Sequence, residues 1–102
     1  MTSEVISEHE GVRLRAFGSL DLATQPLLET QIEELLESGV RTLTLDLRAV
    51  TFMDSSGLRL VLRWNAAAQS GGFQFWVIPG PPQVQRVFEL TDTGRLVAFK
   101  TP

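Results

Sequence analysis

The chain has 102 residues, enough for one small domain and one buried core without staples. Hydrophobic residues make up 43 % and charged residues 21 %, the proportions of a globular rather than a disordered chain. With no cysteine, a net charge of -3 and no cluster of Lys or Arg, disulfides and thiolate metal sites are excluded, and the electrostatic footprint of nucleic-acid binding is missing.

No apolar run approaches the length of a membrane span, and the acidic opening "MTSEVISEHEG" lacks the apolar run of a signal peptide. The expectation is a single cytoplasmic domain over residues 1–102 with no direct membrane insertion. Its default partners are proteins or small molecules.

Val5 to Glu8 and Val12 to Phe17 read as two strands joined by a tight turn at His9 to Gly11. In the second, Val12, Leu14 and Ala16 alternate with Arg13, Arg15 and Phe17. "GSLDLATQP" follows as a loop, with Thr24 as N-cap and Pro26 in the first helical turn. Leu28, Ile32, Leu35 and Leu36 then share one helix face, Glu29, Glu33, Glu34 and Glu37 lie mostly on the other, and Gly39 ends the helix.

Thr42 to Leu47 alternates as a strand does, and the chain crosses "RAVTFM" to reach Asp54. A helix is expected over Ser56 to Ser70, stopped by Gly71 and Gly72. Its core stripe is Leu58, Val61 and Leu62, and Leu60, Trp64 and Ala67 form a second stripe roughly opposite. Phe73 to Ile78 reads as a strand, Pro81 and Pro82 open a third helix that buries Val84, Val87 and Phe88, and "RLVAF" reads as a last short strand. Helices and strands thus alternate after an opening hairpin. That order predicts a mixed, mostly parallel sheet of four to five strands with about three main helices.

The stretch Asp54-Ser55-Ser56-Gly57 lies where a strand gives way to a helix. Loops leave the carboxyl ends of strands at such places in α/β sheets, and a helix start presents unpaired N–H groups. Capping alone accounts for an aspartate and two serines here, with Gly57 allowing close approach. Taken alone the pattern favours that capping; the sharper reading is a phosphoacceptor serine, because a helix start tolerates the added charge. Phe52 and Met53 are expected to anchor this turn while Asp54 and both serines face solvent.

"LTLDLRAVTFMDSSGLRLVL" resembles the signature of the STAS domain, in particular that of the bacterial anti-sigma factor antagonists. "GSLDLAT" at Gly18 to Thr24 is similar to that family's G-E-L-D segment, with Ser19 in place of Glu, and "GGFQFWVI" and "QVQRVFELTDTGRLVAF" fit its later strands and third helix. The resemblance implies a phosphorylated serine just before the glycine, here Ser56. Asp21, Asp54, Ser55 and Gly57 would shape that site. The implied partners are an anti-sigma factor that is also a serine kinase, which the unmodified antagonist binds, and a serine phosphatase that resets the cycle. The second helix beside the turn offers Leu60 and Trp64 as a partner-binding pair if they are exposed. An alternative within the same fold is a STAS subunit of a larger assembly, transporter-associated or a stress-signalling scaffold, that is never phosphorylated.

Other chemistry finds no support. A serine nucleophile needs a neighbouring base, yet the sole histidine, His9, belongs to the hairpin turn. One histidine and no cysteine leave only scattered carboxylates for a metal. A phosphate-cradling loop is absent, and Phe73, Phe75 and Trp76 follow a strand pattern without basic neighbours to suggest base stacking. The chain is therefore expected to be a binding protein rather than an enzyme, with no cofactor and no metal.

Overall fold

The computed structural model describes residues 2–102. Strands β1 (Thr2–Glu8), β2 (Gly11–Leu20), β3 (Thr42–Met53) and β4 (Gln74–Ile78) form one sheet in the order β1-β2-β3-β4. The hairpin β1–β2 is antiparallel, and the pairs β2–β3 and β3–β4 are parallel. Helix α1 (Gln25–Glu37) makes the first crossover, α2 (Ser55–Gly71) the second, and α3 (Pro82–Leu90) follows β4. A single α/β domain with a mixed four-stranded sheet and three helices is the architecture expected from the alternation of elements.

One face of the sheet is apolar by strict alternation. Leu14 and Ala16 of β2, Leu43, Leu45 and Leu47 of β3, and Phe75 and Val77 of β4 are buried. They share a single cluster with Leu28 and Ile32 of α1, Leu58, Leu60 and Val61 of α2, and Val84 and Phe88 of α3. Each helix contributes one stripe at helical spacing, so all three settle on the same face. On the opposite face Asp46 is wholly buried beneath two guanidinium groups, accepting from Arg13 Nη1 at 2.9 Å and Arg48 Nη2 at 2.7 Å.

β1 begins earlier than expected, at Thr2 rather than Val5, and three further elements differ from their expected extent. β3 does not stop at Leu47 but runs on to Met53, and β2 runs on to Leu20. The two extensions pair with each other, Ser19 beside Phe52 and Leu20 beside Met53, after register shifts between Arg15 and Phe17 and between Gly18 and Ser19. Bulges of this kind break the simple alternation that makes a strand readable. The third is "RLVAF", which is not a strand. Gly94–Leu96 forms a short 3-10 helix, and only Phe99 bridges to Val77 of β4. The side chain of Asn65 intervenes here, donating to the Leu96 carbonyl at 2.6 Å and accepting from the Ala98 N–H at 3.1 Å. Backbone groups that a ladder would use are satisfied by this amide instead.

Candidate functional site

The extended β2 and β3 deliver two loops to the same carboxyl rim of the sheet. The backbone N–H of Asp54 donates to the Leu20 carbonyl at 3.3 Å, so the turn after β3 is tied to the turn after β2. Asp21 follows Leu20 directly and so lies on the same rim as Asp54. Its role there is local. Asp21 Oδ1 accepts from the N–H groups of Ala23 and Thr24, both at 3.1 Å. Thr24 precedes α1 but caps no amide. Its hydroxyl turns back and donates to the Ser19 carbonyl at 2.8 Å.

Asp54 is the N-cap of α2, with an extended backbone. Its Oδ1 accepts from the Ser56 N–H at 2.8 Å and from the Gly57 N–H at 3.4 Å. Two first-turn donors are thus satisfied by one carboxylate, and neither serine hydroxyl is required as a cap. Gly57 seats the helix start on the strands. A Cβ there would lie 2.6 Å from Met53 Cγ, 2.8 Å from Leu20 Cγ and 2.9 Å from the Leu20 carbonyl oxygen. Any other residue would lift the turn off the sheet.

The two serines separate in exposure. Ser55 is exposed, whereas Ser56 is only 7 % exposed, which corrects the expectation that both face solvent. The Ser56 hydroxyl makes no hydrogen bond within the described chain and is not among the sealed, unpartnered polar atoms, a condition met only by Trp64 Nε1. Its oxygen is therefore not wholly sealed, although the residue as a whole is buried.

The apolar residues of the site are not the expected ones. Met53 anchors the turn and is buried, but Phe52 is 52 % exposed, because adjacent strand residues point to opposite faces. Leu60 is fully buried in the core, and Trp64 is half-buried with its ring edge-on to Phe73 at 6.4 Å. The exposed Leu60–Trp64 pair is therefore not formed. The solvent stripe of α2 is Arg59, Arg63, Ala66 and Ser70, and both apolar stripes lie within the wide arc that remains. Instead, Leu22 in the turn after β2, Leu27 in the first turn of α1 and Phe52 at the end of β3 carry exposed apolar surface at the rim. A sequence signal for Leu22 existed, since a leucine in a polar turn has no core to enter. Phe52 gave no such signal while the end of β3 was read as irregular.

Among the described residues no group of histidine, cysteine, aspartate and glutamate could hold a metal ion, and no helix is long and apolar enough to cross a membrane. What the rim combines is a nucleophile-sized hydroxyl, a cap that leaves it free, and apolar side chains for a partner to cover.

Residues 4–98 match the family described as Mlab, STAS domain. The anti-sigma-B factor antagonist of Staphylococcus aureus (strain NCTC 8325 / PS 47) is 26 % identical over 94 residues, covering 92 % of this chain and 87 % of that protein. An anti-sigma factor antagonist from Mycobacterium paratuberculosis has a similar structure, with a TM-score of 0.81 and 25 % identity over 99 % of this chain and 85 % of that one. The anti-sigma factor antagonist SpoIIAA in its unphosphorylated form shares the fold, with a TM-score of 0.77 and 24 % identity over 98 % of this chain and 89 % of that one.

Proposed function

We propose, on the premise that this chain belongs to the STAS domain family, that it is an anti-sigma factor antagonist controlled by phosphorylation of Ser56. It acts in the cytoplasm as a binding protein without catalysis of its own. Unmodified, it captures an anti-sigma factor that is also a serine kinase, and the sigma factor is freed. Once Ser56 carries a phosphate the complex breaks, and a serine phosphatase restores the first state.

The observation that carries this reading is the Ser56 hydroxyl, which has no hydrogen-bond partner among the described residues while Asp54 holds the amide of the same residue at 2.8 Å. In the transfer, Ser56 Oγ bonds to the γ-phosphorus of ATP, the bond to the ADP oxygen breaks, and the serine proton passes to a base of the kinase. The exposure of 7 % requires the kinase to draw the first turn of α2 outward. The Asp54 cap, worth about 0.5–2 kcal/mol, and the buried packing of Gly57 and Leu58 in the same turn both oppose this, so docking of the kinase must offset the two together. The product is a group of about -1.5 to -2 charge at the positive end of a helix. This chain tolerates it there. A partner packed over Ser55, Leu22 and Phe52 would have to bury it unpaired, a loss of several kcal/mol and hence of orders of magnitude in affinity.

The test is intact mass after incubation with ATP and the product of a neighbouring gene that encodes a small ATPase-type serine kinase. One phosphate is expected on the wild type and on Ser55→Ala, and none on Ser56→Ala. Ser56→Asp should bind the same kinase more weakly. Modification confined to Ser55 overturns the site. The low exposure of Ser56 favours one competing reading, a STAS subunit of a transporter-associated or stress-signalling assembly in which the serines are structural. No phosphate on either serine, together with unaltered binding by Ser56→Asp, would select that reading.

A further inference from the structure

β1 is an edge strand whose outer side pairs with no other strand among the described residues. The far edge of the sheet is different, because β4 is partly closed by the C-terminal segment. There the Val77 N–H donates to the Ala98 carbonyl at 3.0 Å and the Lys100 N–H to the Val77 carbonyl at 2.9 Å. An open edge presents a row of unpaired N–H and C=O groups, and proteins commonly guard one with proline, lysine or a bulge. The sequence of β1, TSEVISE, has no proline and no lysine, and its seven residues pair with β2 without a register shift. Val5 at its centre is 48 % exposed.

Only the two glutamates, Glu4 and Glu8, stand against addition of another strand. Glu8 is already paired within its own sheet, its Oε2 accepting from Arg13 Nε at 3.1 Å, and Glu4 stands in register with Arg15, whose guanidinium lies over the Phe17 ring. They do, however, select the register of a second copy. A two-fold axis perpendicular to the sheet keeps every side chain on its own face, so one residue must stand opposite itself. Centring on Glu4 sets two glutamates face to face. Centring on Ile6 sets Glu4 against Glu8 twice. Centring on Val5 pairs the whole strand, with Val5 against Val5, Glu4 against Ile6, Ser3 against Ser7 and Thr2 against Glu8. No like charges face each other in that register, and the exposed valines cover one another. Like charges directly opposite destabilise a strand pair, whereas apolar pairs support it.

We infer that β1 is a self-association edge at which two copies of this chain pair antiparallel about Val5 to form one continuous eight-stranded sheet. The occupant is a second copy because, centred on Val5, the strand pairs over its full length with a copy of itself and sets no like charges opposite each other. One strand pair buries little surface, so the dimer is weak and concentration-dependent. The edge lies across the sheet from β4 and does not include Ser56, so the inference stands or falls separately from the phosphorylation reading.

Sedimentation velocity on the full chain should show the weight-average mass rising towards twice the monomer with concentration. Val5→Lys, which sets two cations opposite each other at a half-exposed position, should stay monomeric with an unchanged circular dichroism spectrum. The chain has no cysteine, so single cysteines report the register. Val5→Cys should cross-link to a disulfide dimer under mild oxidation much faster than Ile6→Cys or Glu4→Cys. A wild type that stays monomeric at its highest soluble concentration overturns the inference, as does a dimer that Val5→Lys leaves intact. Faster cross-linking at Ile6→Cys overturns the register.

Discussion

Asp54 Oδ1 accepts the backbone N–H of Ser56 at 2.8 Å, and the hydroxyl of the same serine has no partner among the described residues. Backbone satisfaction and chemical availability are thus divided between two neighbouring residues. Ser56→Ala should therefore cost less stability than Asp54→Ala, because it forfeits no hydrogen bond among the described residues. Asp54→Ala removes the cap and should lose about 1 kcal/mol. Urea unfolding of both variants gives the comparison, and a larger loss for Ser56→Ala would make that hydroxyl structural.

Gly57 is constrained by space rather than by backbone conformation. An added Cβ would stand 2.6 Å from Met53 Cγ and 2.9 Å from the Leu20 carbonyl oxygen, and the carbonyl cannot step aside as a flexible side-chain end can. Gly57→Ala should destabilise the fold by about 1–3 kcal/mol, the usual effect of overpacking. A melting temperature equal to the wild type would mean that the start of α2 shifts freely over the sheet.

Leu60 and Phe52 exchange the roles that the sequence pattern suggests for this region. Leu60→Ala should lose about 2–5 kcal/mol, because it opens a cavity in a closed core. Phe52→Ala, at a residue 52 % exposed, should leave the unfolding midpoint nearly unchanged and raise the Kd for the anti-sigma factor. A partner affinity untouched by both Phe52→Ala and Leu22→Ala would remove the rim from the proposed interface.

Acid should weaken the fold through Asp46. Burial pushes this carboxyl up, but hydrogen bonds and charge from Arg48, with a further bond from Arg13, hold it below its ordinary value. The unfolded chain titrates near the usual aspartate value of about 3.9. The folded form therefore binds the proton less readily, and the stabilisation is fully present above that pH. It is lost as pH falls through the lower, folded value. Unfolding free energy should drop below about pH 4 in the wild type and fall less steeply in Asp46→Asn. Asp46→Asn should itself lose on the order of 1–3 kcal/mol at neutral pH, since hydrogen bonds to a charged group are forfeited. Parallel acid slopes for the two proteins would assign the effect to other carboxylates.

The sequence alone was enough for the order of elements as far as α3, the buried faces of α1 and α3, and the aspartate–serine–serine–glycine turn at a helix start. Those features depend on neighbours a few residues apart. Leu28 and Ile32 of α1, or Val84 and Phe88 of α3, recur at helical spacing whatever else the chain does, and Asp54 caps α2 through amides two and three residues away. Tertiary structure decided everything that depends on a partner distant in the chain. The continuation of β3 to Met53 needs β2 alongside it, and the fate of "RLVAF" was settled by Asn65, more than thirty positions away, whose amide takes the backbone groups a fifth strand would use. The same holds at the site. Two adjacent serines carry the same chemistry on paper, and only the packing of the start of α2 against Leu20 and Met53 leaves Ser55 open and draws Ser56 in, because burial is a property of what lies opposite a side chain and not of the residue itself.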